Sequence, residues 1–287
     1  MGCNIGRRVV AESKTPDPLR SSGAARITQR TVALVYLGVL VMVPIVAIFW
    51  RTIGDGWAQF WSAISSSQAV TAYRLTLEVA VLAVLLNAVF GVGVALLITR
   101  FRFPGRRLLG AISDLPLSVS PIVVGLALVL VYGPLDSWFG SELHSAGIQI
   151  IYSVPGMVLA TAFVSLPLVL REVMPVLEEA GTEQEQAARV LGASDWQSFK
   201  RITVPTIRPA LMYGIVLTFA RSIGEYGAVK VVSGNVSGIG QTQTLALVIG
   251  SRVDQLQTGY YQLAFILIVV TVSAITIMSF KRKEEAP

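Results

Sequence analysis

The stretch TEQEQAARVLGASDWQSFKRITVP, residues 182–205, separates two apolar segments and carries two helix start signals. In the first signal Thr182 is followed three residues later by Glu185, and in the second Ser194 is followed by Gln197. This is the capping-box spacing, in which a hydroxyl accepts from the backbone N–H three residues on and the longer side chain reaches back. The spacing predicts two short helices outside the apolar segments.

Gly192 stands between the two predicted helices and suits the left-handed conformation that commonly ends a helix. The first helix is therefore predicted over residues 183–191. In the second helix Trp196, Phe199 and Ile202 recur at helical spacing and form one apolar stripe. The stretch as a whole predicts a helix–glycine–helix element.

This element has two interpretations, an amphipathic pair of helices lying on lipid headgroups or a docking site for a soluble partner. Ala187 and Ala188 favour docking, because small side chains let the surface of another protein approach closely. Glu183 and Glu185 also favour docking, since acidic side chains gain little from an anionic lipid surface. We therefore predict a docking element.

The rest of the chain is dominated by apolar segments of membrane-spanning length. The chain of 287 residues is 53% hydrophobic and 14% charged, whereas soluble domains carry about a quarter charged residues. An all-α membrane protein is predicted in place of a soluble one, because about 20 apolar residues cross a bilayer as a helix. The six predicted spans are residues 31–50, 75–99, 108–132, 148–170, 209–232 and 263–280.

The distribution of Lys and Arg predicts the orientation of these spans. Most of the 23 basic residues lie in residues 1–30, 100–107, 171–208 and 281–287, whereas residues 133–147 contain none. Basic loops face the cytoplasm, so both termini are predicted to be cytoplasmic. The net charge of +6 is then a topology signal and does not indicate nucleic-acid binding. No small-residue cleavage site follows the first segment, which is therefore predicted to be an uncleaved span.

The docking element resembles the signature loop of ABC importer permeases, Glu-Ala-Ala, three residues, Gly, nine residues, Ile-x-Leu-Pro. Gln186 stands for the Glu and Val204 for the Leu of that pattern, and the preceding Glu185 is the candidate for the displaced acid. The resemblance implies a loop that docks an ATPase subunit. Its docking residues would be Glu183, Glu185, Gln186, Ala187, Ala188, Gly192, Ile202 and Pro205.

Further motifs resemble the sulfate/thiosulfate and molybdate branch of these permeases, and above all its W-type members. They are LPLSVSP at residues 115–121, REV at 171–173, FARSIGEYGA at 219–228 and VSGN at 232–235. The resemblance implies a type I importer permease in the cell inner membrane. It would work with a homologous T-type permease, two ATPase subunits that bind ATP and Mg²⁺, and a sulfate-binding protein. No cofactor and no catalytic residue is implied on this chain.

The resemblance also divides the chain. Residues 1–30 would be a basic cytoplasmic tail, and residues 31–71 the first transmembrane helix with an external loop. Residues 72–280 would be the permease domain, which includes a docking loop at 172–208. Residues 281–287 would be a second cytoplasmic tail.

Two charged residues fall inside the predicted fifth span. Arg221 and Glu225 lie four residues apart and so share one helix face. Each is costly alone in lipid, and the favoured interpretation is a mutual ion pair that locks the helix bundle. The alternative is that Arg221 contributes positive potential to an anion route while Glu225 restrains it. Asn87 is predicted to join helices, and Asp114 to reach the membrane interface.

The predicted third span contains two prolines and two serines within a few residues. Ser118 and Ser120 beside Pro116 and Pro121 predict a broken or kinked helix, which frees backbone N–H groups. Helix N-termini bind anions, so this region is a candidate for the anion route, although plain packing kinks explain it as well. The candidate pathway residues are Ser118, Ser120, Arg221, Ser222 and Glu225.

Several other classes of function are less consistent with the sequence. The chain contains no glycine-rich phosphate loop of the Walker type, and Gly91-Val92-Gly93 is predicted to pack helices. A single His144 and a single Cys3 do not favour a metal site. The alternatives are a molybdate or tungstate permease of the same class, a self-contained secondary transporter with inverted halves, and a membrane enzyme.

Overall fold

The computed structural model describes residues 23–54, 56–134, 137–236, 242–255 and 259–285, with side chains from residue 27 to residue 276. The described residues form helices and no strand. A π-helical turn at Phe199–Thr203 joins the helix Asp195–Ser198 to the helix Val204–Ile223. The helices are α1 Gly23–Gly54, α2 Trp57–Ile64, α3 Ser67–Arg100, α4 Arg106–Ser118, α5 Pro121–Tyr132, α6 Gly140–Ser145, α7 Val154–Ala180, α8 Glu183–Val190, α9 Asp195–Ser198, α10 Val204–Ile223, α11 Gly227–Val232, α12 Leu245–Asp254 and α13 Tyr260–Glu285.

Four stretches of the described chain are long and apolar enough to cross a membrane. They are Ile27–Gly54, Ser67–Arg100, Val154–Ala180 and Asp195–Ile223, and the bent pair α4 and α5 makes a fifth when counted as one span. The apolar part of α13 described with side chains is the shorter Tyr260–Thr276. The all-α membrane fold predicted from the sequence is therefore confirmed.

The chain divides into two compact units, residues 1–47 and residues 48–287. The first unit holds most of α1, whose apolar side chains from Ile27 onward are mostly exposed, as expected of a helix that faces lipid. The last part of the predicted tail, residues 1–30, is helical, because α1 begins at Gly23. Residues 1–22 lie outside the described residues.

The core of the second unit forms where α3, α7 and α10 cross at close range. A Cβ on Gly91 would lie 2.9 Å from Cβ of Val169, and one on Gly214 would lie 3.0 Å from Cα of the same valine. Small residues at these crossings let the helix backbones approach, as in other membrane bundles. The predicted packing role is confirmed for Gly91 but not for Gly93, which has open space around it.

The predicted role of Asn87 in joining helices is confirmed. Its side-chain amide donates to the hydroxyl of Ser165 over 2.8 Å, which links α3 to α7 in the buried core. A buried polar bond of this kind fixes the register of two helices that pack otherwise through apolar contacts.

The predicted third span is broken, as the sequence indicates. The axes of α4 and α5 differ by 114° across Val119 and Ser120. Ser120 is extended with a ψ of 133°, because Pro121 disfavours the helical conformation in the residue before it. The bend brings the two halves of the span out of line.

The predicted fifth span also breaks, which the sequence analysis did not foresee. α10 ends at Ile223 and a separate helix, α11, begins at Gly227, so the helix predicted to continue to residue 232 is wrong. The predicted tail at 281–287 is likewise helical as far as Glu285, where the described residues end.

Candidate functional site

The docking loop, defined as residues 182–205, adopts the helix–glycine–helix form. α8 ends at Val190, and Gly192 has a φ of +89°. A Cβ at Gly192 would meet nothing within 4 Å, so the glycine is required by its backbone conformation and not by crowding. The predicted glycine stop is confirmed.

Of the two predicted capping boxes, one is confirmed and one is wrong. The hydroxyl of Ser194 accepts from the backbone N–H of Gln197, whose side chain accepts in turn from the backbone N–H of Ser194 over 3.0 Å. Thr182 makes no such cap, and its hydroxyl instead accepts from the side-chain amide of Gln186 over 2.9 Å. The carboxylate of Glu185, the expected partner of Thr182, pairs with Arg100 instead.

The tip of the docking loop exposes large apolar side chains. Val190 and Leu191 are each 87% exposed, and Trp196 on α9 is also exposed and stacks against Phe199 with ring centroids 5.5 Å apart. Five of the predicted docking residues are exposed, and the other three are partly buried. The exposed five are Glu183, Gln186, Ala187, Gly192 and Pro205, and the partly buried three are Glu185, Ala188 and Ile202.

Glu185 belongs to an ionic cluster at the base of the loop. Nε and Nη2 of Arg100 approach the two carboxylate oxygens of Glu185 at 3.1 and 3.2 Å, and the two side chains are 13% and 16% exposed. The hydroxyl of Thr203 donates to the same carboxylate over 2.8 Å, and Nη1 of Arg100 donates to the backbone carbonyl of Leu177 over 2.9 Å. The prediction that Glu185 presents its acid to a docked partner is therefore not supported by its position.

The second candidate region is the pair of broken helices, α4–α5 and α10–α11. The guanidinium of Arg221 lies 2.6 Å from the carboxylate of Glu225, with side chains 40% and 2% exposed. The carboxylate of Glu225 also accepts from the backbone N–H of Ala228 over 3.0 Å. The mutual ion pair is thus present, and its acid caps the first turn of α11 across the break.

The two breaks lie against each other, which the sequence analysis did not anticipate. A Cβ on Gly227 would lie 3.1 Å from Cβ of Pro121, and one on Gly125 would lie 2.8 Å from the carbonyl oxygen of Ala228. Glycines on both helices therefore allow α5 and α11 to pack at backbone distance. The start of α5 and the start of α11 come together in one place.

The remaining pathway candidates differ in exposure. Ser118 and Ser120 are exposed at the break between α4 and α5, whereas Ser222 is buried, and its hydroxyl has no hydrogen-bond partner among the described residues. Asp114 on α4 pairs with Arg171 on α7 over 3.0 Å, with both side chains about half exposed. Within the described residues, no group of three His, Cys, Asp or Glu side chains is placed to hold a metal ion.

These features define a class of protein. A bundle of membrane-spanning helices is interrupted by two mutually packed breaks, and a short helix with an exposed apolar tip projects from the segment between α7 and α10. These features define the class of multi-pass helical membrane proteins with an exposed apolar surface outside the spans.

The comparisons place this chain within a family. Residues 87–281 match the family described as "Binding-protein-dependent transport system inner membrane component", and the chain belongs to that family. It is 48% identical over 226 residues to "Sulfate transport system permease protein CysW" of Synechocystis sp., which covers 79% of this chain and 81% of the relative. It is 40% identical over 223 residues to "Sulfate transport system permease protein CysT" of Escherichia coli, which covers 78% of this chain and 79% of the relative.

A solved structure shares the fold. A chain of a bacterial ABC transporter involved in the import of the acidic polysaccharide alginate superposes with a TM-score of 0.71 at 17% identity, over 91% of this chain and 96% of that chain. The predicted ABC importer permease fold is confirmed by this likeness.

Proposed function

We propose that this chain is the membrane-spanning subunit of an ATP-driven importer for sulfate, and that it forms half of the translocation pathway. The observation that carries this proposal is the docking loop, in which Val190 and Leu191 are exposed at the tip while the base is fixed to the helix bundle. The similarity to a sulfate permease over most of the chain supports sulfate as the anion. Thiosulfate, which has a similar shape and charge, is a second substrate in this proposal.

The proposed importer contains other chains. A T-type permease would form the other half of the pathway, and the 40% identity to CysT supports a pair of related subunits. Two ATPase subunits would bind the docking loops and hold the ATP and Mg²⁺, and a sulfate-binding protein would deliver the anion. This chain would supply no catalytic residue and no cofactor.

The proposed location is the cell inner membrane, with both termini and the docking loop in the cytoplasm. Residues 1–30 and 281–287 would be cytoplasmic tails, residues 31–71 the first span and an external loop, and residues 72–280 the permease domain with its docking segment at 172–208. The basic residues in these cytoplasmic segments support this orientation.

The proposed mechanism moves the docking loops. Binding of ATP would close the ATPase dimer, draw α8 with it, and convert the pathway from inward-facing to outward-facing. The exposed tip at Val190 and Leu191 provides the apolar area that a partner surface can bury.

The pair of broken helices would line the anion route. A dianion that leaves water must find N–H, O–H and positive groups to replace its hydration. Arg221 is partly exposed while Glu225 is buried behind it, so the pair presents the cation and withholds the acid. Ser118 and Ser120 would add hydroxyl donors beside the N-terminus of α5, and Ser222 on α10 would add a third.

Uptake of labelled sulfate tests the proposal. The chain is expressed with a T-type permease, an ATPase and a sulfate-binding protein in a strain that lacks its own sulfate permeases. We expect sulfate uptake that excess thiosulfate suppresses and excess molybdate does not. Uptake of molybdate or tungstate in preference to sulfate would reassign the substrate, and uptake without any ATPase would overturn the importer proposal in favour of a secondary transporter.

A further inference from the structure

Three helix ends and the π-helical turn that leads into α10 meet at Arg100 and Glu185. Arg100 is the last residue of α3, and the carbonyl of Leu177 that it binds lies in the last turn of α7. Glu185 lies in the first turn of α8, and Thr203 precedes the first residue of α10. We call these four residues the loop clamp, because they join the docking helix to three long helices.

Several bonds hold the loop clamp at once. Two nitrogens of the Arg100 guanidinium face the two oxygens of Glu185, and the third nitrogen donates to Leu177. A planar guanidinium held by two parallel bonds to a carboxylate fixes orientation as well as distance. The bond from Thr203 to the same carboxylate then prevents Glu185 from turning independently of α10.

The helix ends favour these charges. The C-terminal ends of α3 and α7 carry partial negative charge and stabilise the Arg100 guanidinium, while the N-terminal end of α8 carries partial positive charge and stabilises the Glu185 carboxylate. Arg100 also donates to a carbonyl in the last turn of α7, where the helix has no backbone N–H of its own to offer that carbonyl. The ion pair is therefore tied to the backbone of the bundle.

A second ion pair in the same loop provides a contrast. Arg189 on α8 pairs with Asp195 on α9 over 3.0 Å, but these side chains are 61% and 84% exposed. An exposed pair contributes little to stability, whereas removing one partner of a buried pair leaves an uncompensated charge. The two pairs are chemically alike and differ in burial and in what they connect.

We propose that the loop clamp is the joint that passes displacement of the docking helix to α3, α7 and α10, and that Arg100, Glu185 and Thr203 are positioning residues for transport. Glu185 acts inside the protein and leaves contact with the ATPase to the exposed tip. This inference rests on the proposed function, because it needs a partner that moves α8.

The consequence of breaking the clamp is uncoupling. A docking helix that still binds its partner but is loosely joined to the bundle moves without carrying α3 and α7. ATP hydrolysis then continues while the anion route switches less often, so fewer anions are imported for each ATP hydrolysed.

The experiment uses the complete importer in lipid vesicles, with sulfate import and ATP hydrolysis measured together. We expect Glu185→Gln and Arg100→Gln each to lower the ratio of sulfate imported to ATP hydrolysed by about tenfold or more, within the range typical of coupling between sites. The Arg171→Gln variant, which breaks the half-exposed pair with Asp114 outside the docking loop, is the matched control and keeps the wild-type ratio. Binding of the ATPase to each variant is measured by co-purification.

Two further variants separate positioning from folding. Thr203→Val removes the hydroxyl bond with little change in shape and lowers the ratio, while Thr203→Ser keeps the bond and retains the ratio. The double variant, Arg100→Gln with Glu185→Gln, leaves no unpaired charge. Its ratio of sulfate imported to ATP hydrolysed therefore falls by less than the product of the two single fold-losses.

The outcomes distinguish the two proposals. If the wild-type chain does not co-purify with an ATPase, the proposed function fails. If it does, and the Arg100, Glu185 and Thr203 variants keep the wild-type ratio of import to hydrolysis, the loop clamp inference alone is overturned. The same holds if Arg171→Gln lowers the ratio as much as Arg100→Gln.

Discussion

The docking loop and the pair of broken helices use polar groups in opposite ways. In the docking loop Ser194 and Gln197 bond to nearby backbone, and the loop presents an apolar tip. In the broken helices Glu225 is buried, and glycines bring α5 and α11 together at backbone distance. Gly192 and the Ser194–Gln197 cap therefore depend on short-range bonds, whereas the contact between the two breaks depends on tertiary packing, so substitutions at these places should fail differently.

The largest effect is expected at Glu225. Glu225→Ala removes the partner of the partly exposed Arg221 and leaves the buried backbone N–H of Ala228 without its acceptor, and we expect the free energy of unfolding to fall by about 3 kcal/mol. Thermal unfolding of the purified protein in detergent measures it. Glu225→Gln keeps an acceptor for the N–H and should lose less, and equal losses in the two variants would show that the cap contributes nothing.

The next effect is expected where α3 crosses α7. Gly91→Ala places a Cβ 2.9 Å from the Val169 side chain, and overpacking of this kind costs about 1–3 kcal/mol. Gly93→Ala is the matched control because its position is open, and it should be neutral or stabilising. Unfolding midpoints that fall equally for both variants would contradict the packing described for α3 and α7.

In the docking loop, Gly192→Ala is expected to destabilise the folded conformation of the loop by about 1–2 kcal/mol, because a Cβ is crowded by the left-handed backbone. The loss should appear as weaker ATPase binding with little change in global unfolding, since a Cβ added at Gly192 would meet nothing within 4 Å. Gly192→Asn tolerates the conformation better and should bind more strongly than the alanine variant. If Gly192→Ala lowered the free energy of global unfolding as much as Glu225→Ala does, the docking loop and the broken helices would not differ in the way described.

The smallest effect separates the two predicted caps. Ser194→Ala breaks an observed cap and should cost about 1 kcal/mol of α9 stability, whereas Thr182→Ala removes no cap and should cost much less. Hydrogen exchange of the backbone amides of α8 and α9 reports each loss. Equal losses at the two sites would show that the Thr182 cap forms in solution.

Sequence reasoning predicted the docking loop best where its bonds are local. The Ser194–Gln197 box and the Gly192 stop depend on residues a few positions apart, and both are confirmed. The Thr182 box is wrong because Glu185 binds Arg100, a residue 85 positions away, and spacing alone does not reveal such a partner.

For the broken helices too, the sequence reveals local effects but not distant contacts. The break before Pro121 was predicted because proline acts on its neighbour, whereas the end of α10 at Ile223 was missed inside an apolar run. A signal was present, since Gly224 and Gly227 flank Glu225 in a short stretch that interrupts the run. The contact between the two breaks depends on tertiary packing and has no signature in either segment.

Site-specific crosslinking tests most directly whether the docking loop binds a separate ATPase. A benzophenone label is attached to Leu191→Cys, with Cys3→Ser to remove the native thiol, in membranes that contain the ATPase. We expect irradiation to link this chain to the ATPase from position 191 and not from Ser145→Cys on α6. A label at 191 that links only to lipid, with the ATPase present and active, would contradict the account.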